Sequence, residues 1–266
     1  MIDCKEIVNK YKAKMKNAIN GRKIGLAVVQ VGNNYASSRY IKGKISDCNE
    51  VGIDLIHIWF EETATTDQIV DAIESLNEDE NIHGIIVQLP LPEHLDYDKI
   101  LNTIVDSKDV DGFKSTSRFT PCTPLGIMIL LDNIGVDVAG KKCCVISRSK
   151  IVGKPLVNIL IDSDATVTCC HSKTKYSDKK SAVVNADIVI TAAGKKNSII
   201  PEMVHNGQII IDVGINRGDD GKICGDCDRD IYDIVDMVTP VPGGVGLLTR
   251  LALLSNVVDT ALTLSR

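Results

Sequence analysis

No unbroken apolar run in the 266-residue sequence reaches bilayer length. Stretches such as Ile24 to Val29 and Ile209 to Ile211 fall far short of the roughly 20 residues that a membrane-spanning helix needs. Positive charge is not in excess either: the formal net charge is −5, which argues against a protein built mainly to hold nucleic acid. No secretory signal is expected in the opening residues. Asp3 and Glu6 interrupt the charge of Lys10, Lys12, Lys14 and Lys16, and no apolar core or small-residue cleavage site follows. Ile7, Val8, Tyr11, Met15 and Ile19 instead recur at helical spacing, so a packed amphipathic helix in a cytoplasmic protein is expected.

A disulfide framework is missing as well. Nine cysteines are an odd number, and Cys143, Cys144, Cys169 and Cys170 lie in strand-like apolar runs where a reduced thiol acts as a small hydrophobe. Cys224-Gly-Asp-Cys227 has the spacing of half a zinc site but no second Cys or His pair near it, so no metal is expected. The remaining composition, 44% hydrophobic and 24% charged, excludes a disordered or collagen-like chain. At about 150 residues per domain the length fits one large domain or two modest ones.

What is present is a long alternation of strand and helix patterns. In the first half, strands fit Ile24–Val31, Asp54–Phe60 and Gly84–Leu89. Between them lie a helix over about 36–51 closed by Gly52 and one opened by a capping box of Thr65 and Gln68. Thr123-Pro124 reads as an N-cap with proline at the first helical position. Strands then fit Cys143–Ser147, Thr166–Cys170, Asp187–Thr191 and Ile209–Val213, and Leu247 to Leu264 forms a long terminal helix. This alternation predicts an α/β fold of parallel sheets with crossover helices, with a break near Phe113 to Pro121.

In the second half the strand ending at Ser147 and the helix after Val152 make the first turn of a Rossmann-like unit, but the glycine fingerprint is absent. Gly153 permits close helix–strand contact. The helix N–H groups, with Ser147 and Ser149, can meet a pyrophosphate or can be an ordinary Ser cap. After the second strand, Cys170-His171-Ser172-Lys173-Thr174 lacks the carboxylate that selects NAD, whereas Arg148, Ser172 and Lys173 suit a ribose phosphate and hence NADP.

In the first half, Tyr40 and Lys44 share a helix face, a pairing that serves either proton chemistry or surface packing. Gln88 ends a buried strand ahead of Leu89-Pro90-Leu91-Pro92, and Asp109 and Asp111 flank Val110 in a loop that can present a carboxylate. Thr239-Pro240-Val241-Pro242-Gly243-Gly244-Val245-Gly246 is rigid and then permissive, so its backbone can approach a flat ligand.

These segments resemble the bifunctional methylenetetrahydrofolate dehydrogenase/methenyltetrahydrofolate cyclohydrolase family. The matching pieces are Ser38-Arg39-Tyr40-Ile41-Lys42-Gly43-Lys44, Val87 to Pro92, Lys108 to Phe113, Pro121-Cys122-Thr123-Pro124, Arg148-Ser149 with Val152-Gly153-Lys154-Pro155, His171 to Thr174, Asp212-Val213-Gly214-Ile215-Asn216-Arg217 and the run 239–246. The resemblance implies a two-domain α/β protein: a folate-binding catalytic domain (1–120 and 246–266), a Rossmann-like NADP-binding domain (121–245) and an active-site cleft between them. It implies a homodimer joined through the cofactor domain, with no nucleic acid or membrane partner. Lys44 would be the proton shuttle, tuned by Gln88 and oriented by Tyr40, which stacks on the folate. Asp111 would accept from the amino-pyrimidine edge. Val87, Gln88, Leu89, Pro242, Gly243, Gly244, Val245 and Gly246 would line the folate pocket, and Ser147, Arg148, Ser149, Val152, Gly153, Ser172 and Ile215 the NADP site.

The sequence departs from that pattern in places. The link Lys114–Phe119 is only six residues, so the wall it forms is expected to be open or rebuilt. Ser147 stands where a glycine is usual, placing a side chain against the cofactor. Ser46 and Leu247-Leu248 also differ. Two other readings remain: a dehydrogenase without hydrolysis, and a dinucleotide sensor without turnover.

Overall fold

Seven consecutive buried residues, Gly25 to Val31, form the central strand of the first sheet, because a parallel strand covered by helices on both faces needs an unbroken apolar run. The computed structural model describes residues 1–218 and 220–264. In chain order the first elements are α1 (Cys4–Ile19), β1 (Gly25–Val31), α2 (Tyr35–Val51), β2 (Asp54–Phe60), α3 (Thr66–Glu78), β3 (Ile82–Val87) and α4 (Tyr97–Thr103). The three strands pair in parallel in the order β2-β1-β3. The order in which strands are added thus reverses between β1 and β3, the place where open α/β sheets put ligand groups. The β2 edge is half-open, with Ile56 and Trp59 exposed.

The capping box at Thr65 and Gln68 forms as expected, and α3 buries Ile69, Ile73 and Leu76 against the sheet. Strand β3 begins at Ile82 and ends at Val87, so Gln88 and Leu89 lie just outside it. Helix α4, opened by an Asp96 cap on the Lys99 N–H, has no counterpart in the sequence expectation.

The second sheet follows from α5 (Cys122–Asn133), β4 (Lys142–Ile146), α6 (Gly153–Asp162), β5 (Thr166–Cys170), α7 (Tyr176–Val184), β6 (Ile188–Thr191), β7 (Ile209–Asp212), a short hairpin of β8 (Asn216–Arg217) and β9 (Ile223–Cys224), and β10 (Met237–Val238). Five strands pair in parallel in the order β10-β7-β6-β4-β5, with reversal between β4 and β6. Helix α5 begins at Cys122, two residues before the expected first helical position, Pro124. Thr123 is therefore inside the first turn, and its hydroxyl meets that of Thr249 at 3.1 Å rather than capping the helix.

The chain closes with α8 (Val245–Leu264). By length and composition Val245–Thr263 could cross a bilayer, unlike the short strand runs, yet most of it is buried inside the protein as a core helix. Compactness divides the chain into Lys10–Cys122 with Arg250–Arg266, and Met1–Asn9 with Thr123–Thr249. These bounds differ from the expected 1–120/246–266 and 121–245. The first nine residues join the second unit because the Ile2 N–H donates to the Val238 carbonyl at 2.9 Å.

Lys108 shows how the first unit holds its loops. Its buried ammonium donates to the carbonyls of Leu76, Asn77 and Asp79 at 2.7–2.9 Å, closing the C-terminus of α3. That pins the turn that carries Asp109 and Asp111, and Asp109 bridges to Ile85 of β3. Hydrogen bonds from a charged donor are worth about 1.5–3 kcal/mol each and do not add fully. Lys108→Met is expected to lower stability by about 3 kcal/mol in urea unfolding; a change below about 0.5 kcal/mol would contradict this role.

Candidate active site

Helix α2 places Tyr40 and Lys44 one turn apart, and the fold removes Lys44 from water, leaving it 5% exposed. Its Nζ donates to Gln88 Oε1 at 3.1 Å and lies 5.2 Å from the centroid of the Tyr40 ring. Gln88 is at the reversal point of the sheet, anchored by its N–H to the Val29 carbonyl at 2.8 Å. Its own Nε2 donates to the Leu89 carbonyl at 2.9 Å, which the Ser37 hydroxyl also reaches at 3.1 Å. That second bond aims the Gln88 carbonyl oxygen at Lys44. Val87, buried in β3, is packing beneath this turn.

Burial drives the Lys44 amine below the ordinary lysine range; Asp111, Cys122 and Cys48 oppose the shift and Arg250 reinforces it. Burial likewise raises the Asp111 carboxyl, with Lys44 opposing. Tyr40 is pushed above the ordinary phenol range by burial, so it stays protonated. Cys122, whose thiol donates to the Val110 carbonyl at 3.3 Å, is raised well above the thiol range by burial and remains a neutral group. The two aspartates of the loop separate cleanly. Asp109 is buried and accepts from the Lys114 N–H at 3.1 Å, a turn role, which leaves Asp111 as the carboxylate facing Lys44.

The short link is tied down within its unit. Ser117 donates to the Asp109 carbonyl, Thr116 to the Asp106 carboxylate and Arg118 to the Thr260 hydroxyl, while the Arg118 guanidinium lies 4.4 Å from the Phe119 ring centroid. Asn256 on α8 supports the same loop through the Val110 carbonyl at 2.9 Å.

In the other unit, β4 and β5 pair with Ile146 opposite Cys170, so the loops at Ser147–Val152 and His171–Thr174 leave the sheet side by side. Arg148, Ser172 and Lys173 are exposed there, and no carboxylate ends β5. Gly153 does what the missing fingerprint would do: a Cβ there would fall on the Ser147 carbonyl group and 2.7 Å from the Arg148 nitrogen. The helix start is less open than the sequence implied. The Ser149 hydroxyl accepts from the Val152 and Gly153 N–H groups at 3.2 Å and so occupies the N–H groups that open the helix. Ser147 is buried with its hydroxyl turned onto Ser149, within its own loop. A close-approach cradle, flanking cations and a strand end free of carboxylate fit a dinucleotide with a ribose phosphate.

Cys224-Gly-Asp-Cys227 turns out to be an internal lock. Asp226 is wholly buried and accepts from the Thr191 hydroxyl, the N–H groups of Ala193, Gly194 and Lys195, and the Asn216 amide. Asp212 accepts from the N–H groups of Gly214, Asp226 and Cys227. A Cβ on Gly225 would fall on the Asp212 carboxylate, which explains the glycine. This lock holds the loops after β6 and β7, leaving Ile215 exposed beside them.

The fold thus brings Tyr40, Lys44, Gln88, Leu89 and Asp111 together in one unit. Ser147, Arg148, Ser149, Val152, Gly153, Ser172 and Ile215 lie in the other, as do Pro242, Gly243, Gly244, Val245 and Gly246. Gly243 has φ +102°, and a Cβ on Gly244 would strike the Pro240 carbonyl, so both glycines are required by the backbone. Arg250, Asp47 and Gly43 were missed from sequence. Their signals were a lone cation in an apolar helix and a glycine in a helix interior. Gly153→Ala is expected to abolish dinucleotide binding in calorimetry; retained affinity would exclude the cradle.

Comparison with known proteins agrees with this layout. Residues 2–111 match the tetrahydrofolate dehydrogenase/cyclohydrolase catalytic domain, and residues 121–264 match the NAD(P)-binding domain of the same family. The bifunctional protein FolD of Agathobacter rectalis is 44% identical over 97% of this chain and 98% of its own length. The crystal structure of the Campylobacter jejuni bifunctional FolD enzyme, methylenetetrahydrofolate dehydrogenase/cyclohydrolase, superposes with a TM-score of 0.94 at 41% identity, covering 98% of both chains. The Trypanosoma brucei enzyme, solved with NADP and an inhibitor, gives 0.95 at 30% identity over 100% of this chain and 98% of its own. The chain belongs to the tetrahydrofolate dehydrogenase/cyclohydrolase family.

Proposed function

We propose that the protein oxidises 5,10-methylenetetrahydrofolate to the 5,10-methenyl cation with NADP and then hydrolyses that cation to 10-formyltetrahydrofolate. The observation that carries this reading is the buried Lys44 amine, held by Gln88 and beside Tyr40 and Asp111, in a chain whose two halves both match this family. NADP, when bound, supplies the hydride acceptor. For that step the protein needs no acid or base; it holds the folate ring on Tyr40 and Asp111 and the dinucleotide at the loops around Gly153.

Hydrolysis does need a proton carrier. Water adds to the methenyl carbon and gives one proton to the uncharged Lys44 amine, leaving a neutral carbinolamine; the resulting ammonium protonates the departing ring nitrogen as the carbon–nitrogen bond breaks, and the hydroxyl proton is released to solvent as the formyl carbonyl forms. Burial makes the uncharged amine available at a pH below the ordinary lysine range. Gln88 accepts a hydrogen bond from the amine in either state without adding charge. Asp111 matches the donors of an amino-pyrimidine edge. Arg148, Ser172 and Lys173 are assigned to the ribose phosphate.

We place the protein in the cytoplasm, where its nine unpaired thiols suit a reducing environment. It is further proposed to be a homodimer joined through the cofactor unit. There β5 is an open sheet edge with Thr166, Thr168 and Cys169 exposed.

Three measurements test this. Lys44→Met is expected to lower methenyltetrahydrofolate hydrolysis by at least 100-fold, the lower bound for a positioned general base, with NADP binding retained; an unimpaired rate would remove Lys44 from its role. In the wild type, the hydrolysis rate is expected to rise with pH through the depressed Lys44 titration, because the uncharged amine is the active form. Light scattering is expected to give twice the 28.9 kDa chain mass, and a monomer at micromolar concentration would overturn the dimer.

A further inference from the structure

Arg250 is the one basic residue in the apolar helix α8, and nothing in the reaction proposed above uses it. Its Nε donates to Asp47 Oδ2 on α2, and its guanidinium carbon lies 6.0 Å from the centroid of the Tyr40 ring. The same ring has the Lys44 amine 5.2 Å from its centroid. Space for the guanidinium comes from Gly43: a Cβ there would sit 2.5 Å from Nη1 and 3.0 Å from Cζ of Arg250. Glycine in a helix interior costs about 1 kcal/mol relative to alanine. Here the missing side chain, at the position before Lys44, admits the Arg250 guanidinium.

The Arg250 charge is held in place, not left to solvent. Asp47 is buried and takes Arg250 on one oxygen and Lys12 of α1 on the other at 2.6 Å, with Glu50 also on Lys12. Around Lys44 the charged and titratable groups are Tyr40, Asp47 and Cys48 of its own helix, Asp111 of the loop, Cys122 of α5, Arg250 of α8 and, behind Asp47, Lys12 of α1. Asp111 favours an ammonium at Lys44. Arg250 is the cation set against it.

We propose that Arg250, seated in the gap at Gly43 and tethered by Asp47, is a positioning residue for the hydrolysis step: it braces the Tyr40 ring and disfavours a second positive charge at Lys44. The inference rests on the assignment of Lys44 as the proton carrier. Removing Arg250 relieves the repulsion, so the ammonium persists to higher pH and less free amine is present near neutrality. Removing Asp47 leaves the Arg250 cation without its carboxylate, while Lys12 keeps Glu50, and acts in the opposite sense.

The test is the pH profile of methenyltetrahydrofolate hydrolysis, followed spectrophotometrically, with dehydrogenation measured in parallel. In Arg250→Met the rising limb is expected to move up by about half a pH unit, less than the shift from an unpaired neighbouring charge because Asp47 offsets it. The ratio of hydrolysis to dehydrogenation at pH 7 should then fall about threefold. Arg250→Lys, which keeps the charge, is expected to restore the limb, and Asp47→Asn to move it down. An unmoved limb in Arg250→Met, a limb that Arg250→Lys does not restore, or the same direction of shift in Asp47→Asn would each overturn the proposal. So would a parallel loss of both activities, the mark of a purely structural brace. Lys44→Met separates the two readings. Retained hydrolysis in that variant overturns the Lys44 assignment itself. Its loss, with an unmoved limb in Arg250→Met, overturns the Arg250 inference alone.

Discussion

Keeping the Lys44 amine out of water is the constraint on which the arrangement of the first unit depends. A buried ammonium without partners is too costly to persist, so the group either pairs or gives up its proton. Here its direct hydrogen-bond partner is a neutral carbonyl, that of Gln88, and the carboxylate facing it, Asp111, is itself half-buried. Each of these is fixed from outside. Gln88 is anchored by the Val29 carbonyl and turned by the Leu89 carbonyl, and the Asp111 turn is clamped by Lys108 and by Asn256 of α8. The protein thereby holds a titratable group in a state that water alone would not favour.

The cofactor unit applies a related principle to anions. Backbone N–H groups gathered after β6 and β7 are natural receivers of negative charge. Two internal carboxylates, Asp226 and Asp212, fill those positions and stitch three loops together at the C-terminal ends of the strands. The loop after β4 is left with Arg148 exposed, and Gly153 lets the helix start press against it. A dinucleotide fold lacking the usual glycine pattern therefore keeps its close-approach position and moves its anion-receiving loops into structural use.

Much of this was legible in the sequence where the signal is local. Unbroken apolar runs marked β1, β4 and β6, the Thr65/Gln68 pair marked the start of α3, and Gly153 was read correctly as a contact glycine. Where a residue has two available partners, spacing leaves the choice open. Ser149, which suits either a phosphate contact or a helix cap, accepts from the N–H groups at its helix start; Thr123, expected as a cap, lies inside its helix against Thr249; Cys224-Gly-Asp-Cys227, where no metal is expected, is a carboxylate lock. In each case the residue type was read properly, but which of two available partners it takes depends on what the fold sets beside it.

By itself the sequence determined the alternating α/β architecture, the pairing of Tyr40 with Lys44 on one helix face, the strand-end placement of Gln88 and the absence of a carboxylate after β5. All of these follow from spacing along the chain, because helical and strand periodicity act over a few residues. Tertiary structure alone decided which of Asp109 and Asp111 faces Lys44, how deeply that amine is buried, and that Arg250, more than 200 residues away in sequence, is its neighbouring cation. Desolvation and Coulomb repulsion depend on distance through space, and that distance is set only when α2 and α8 pack.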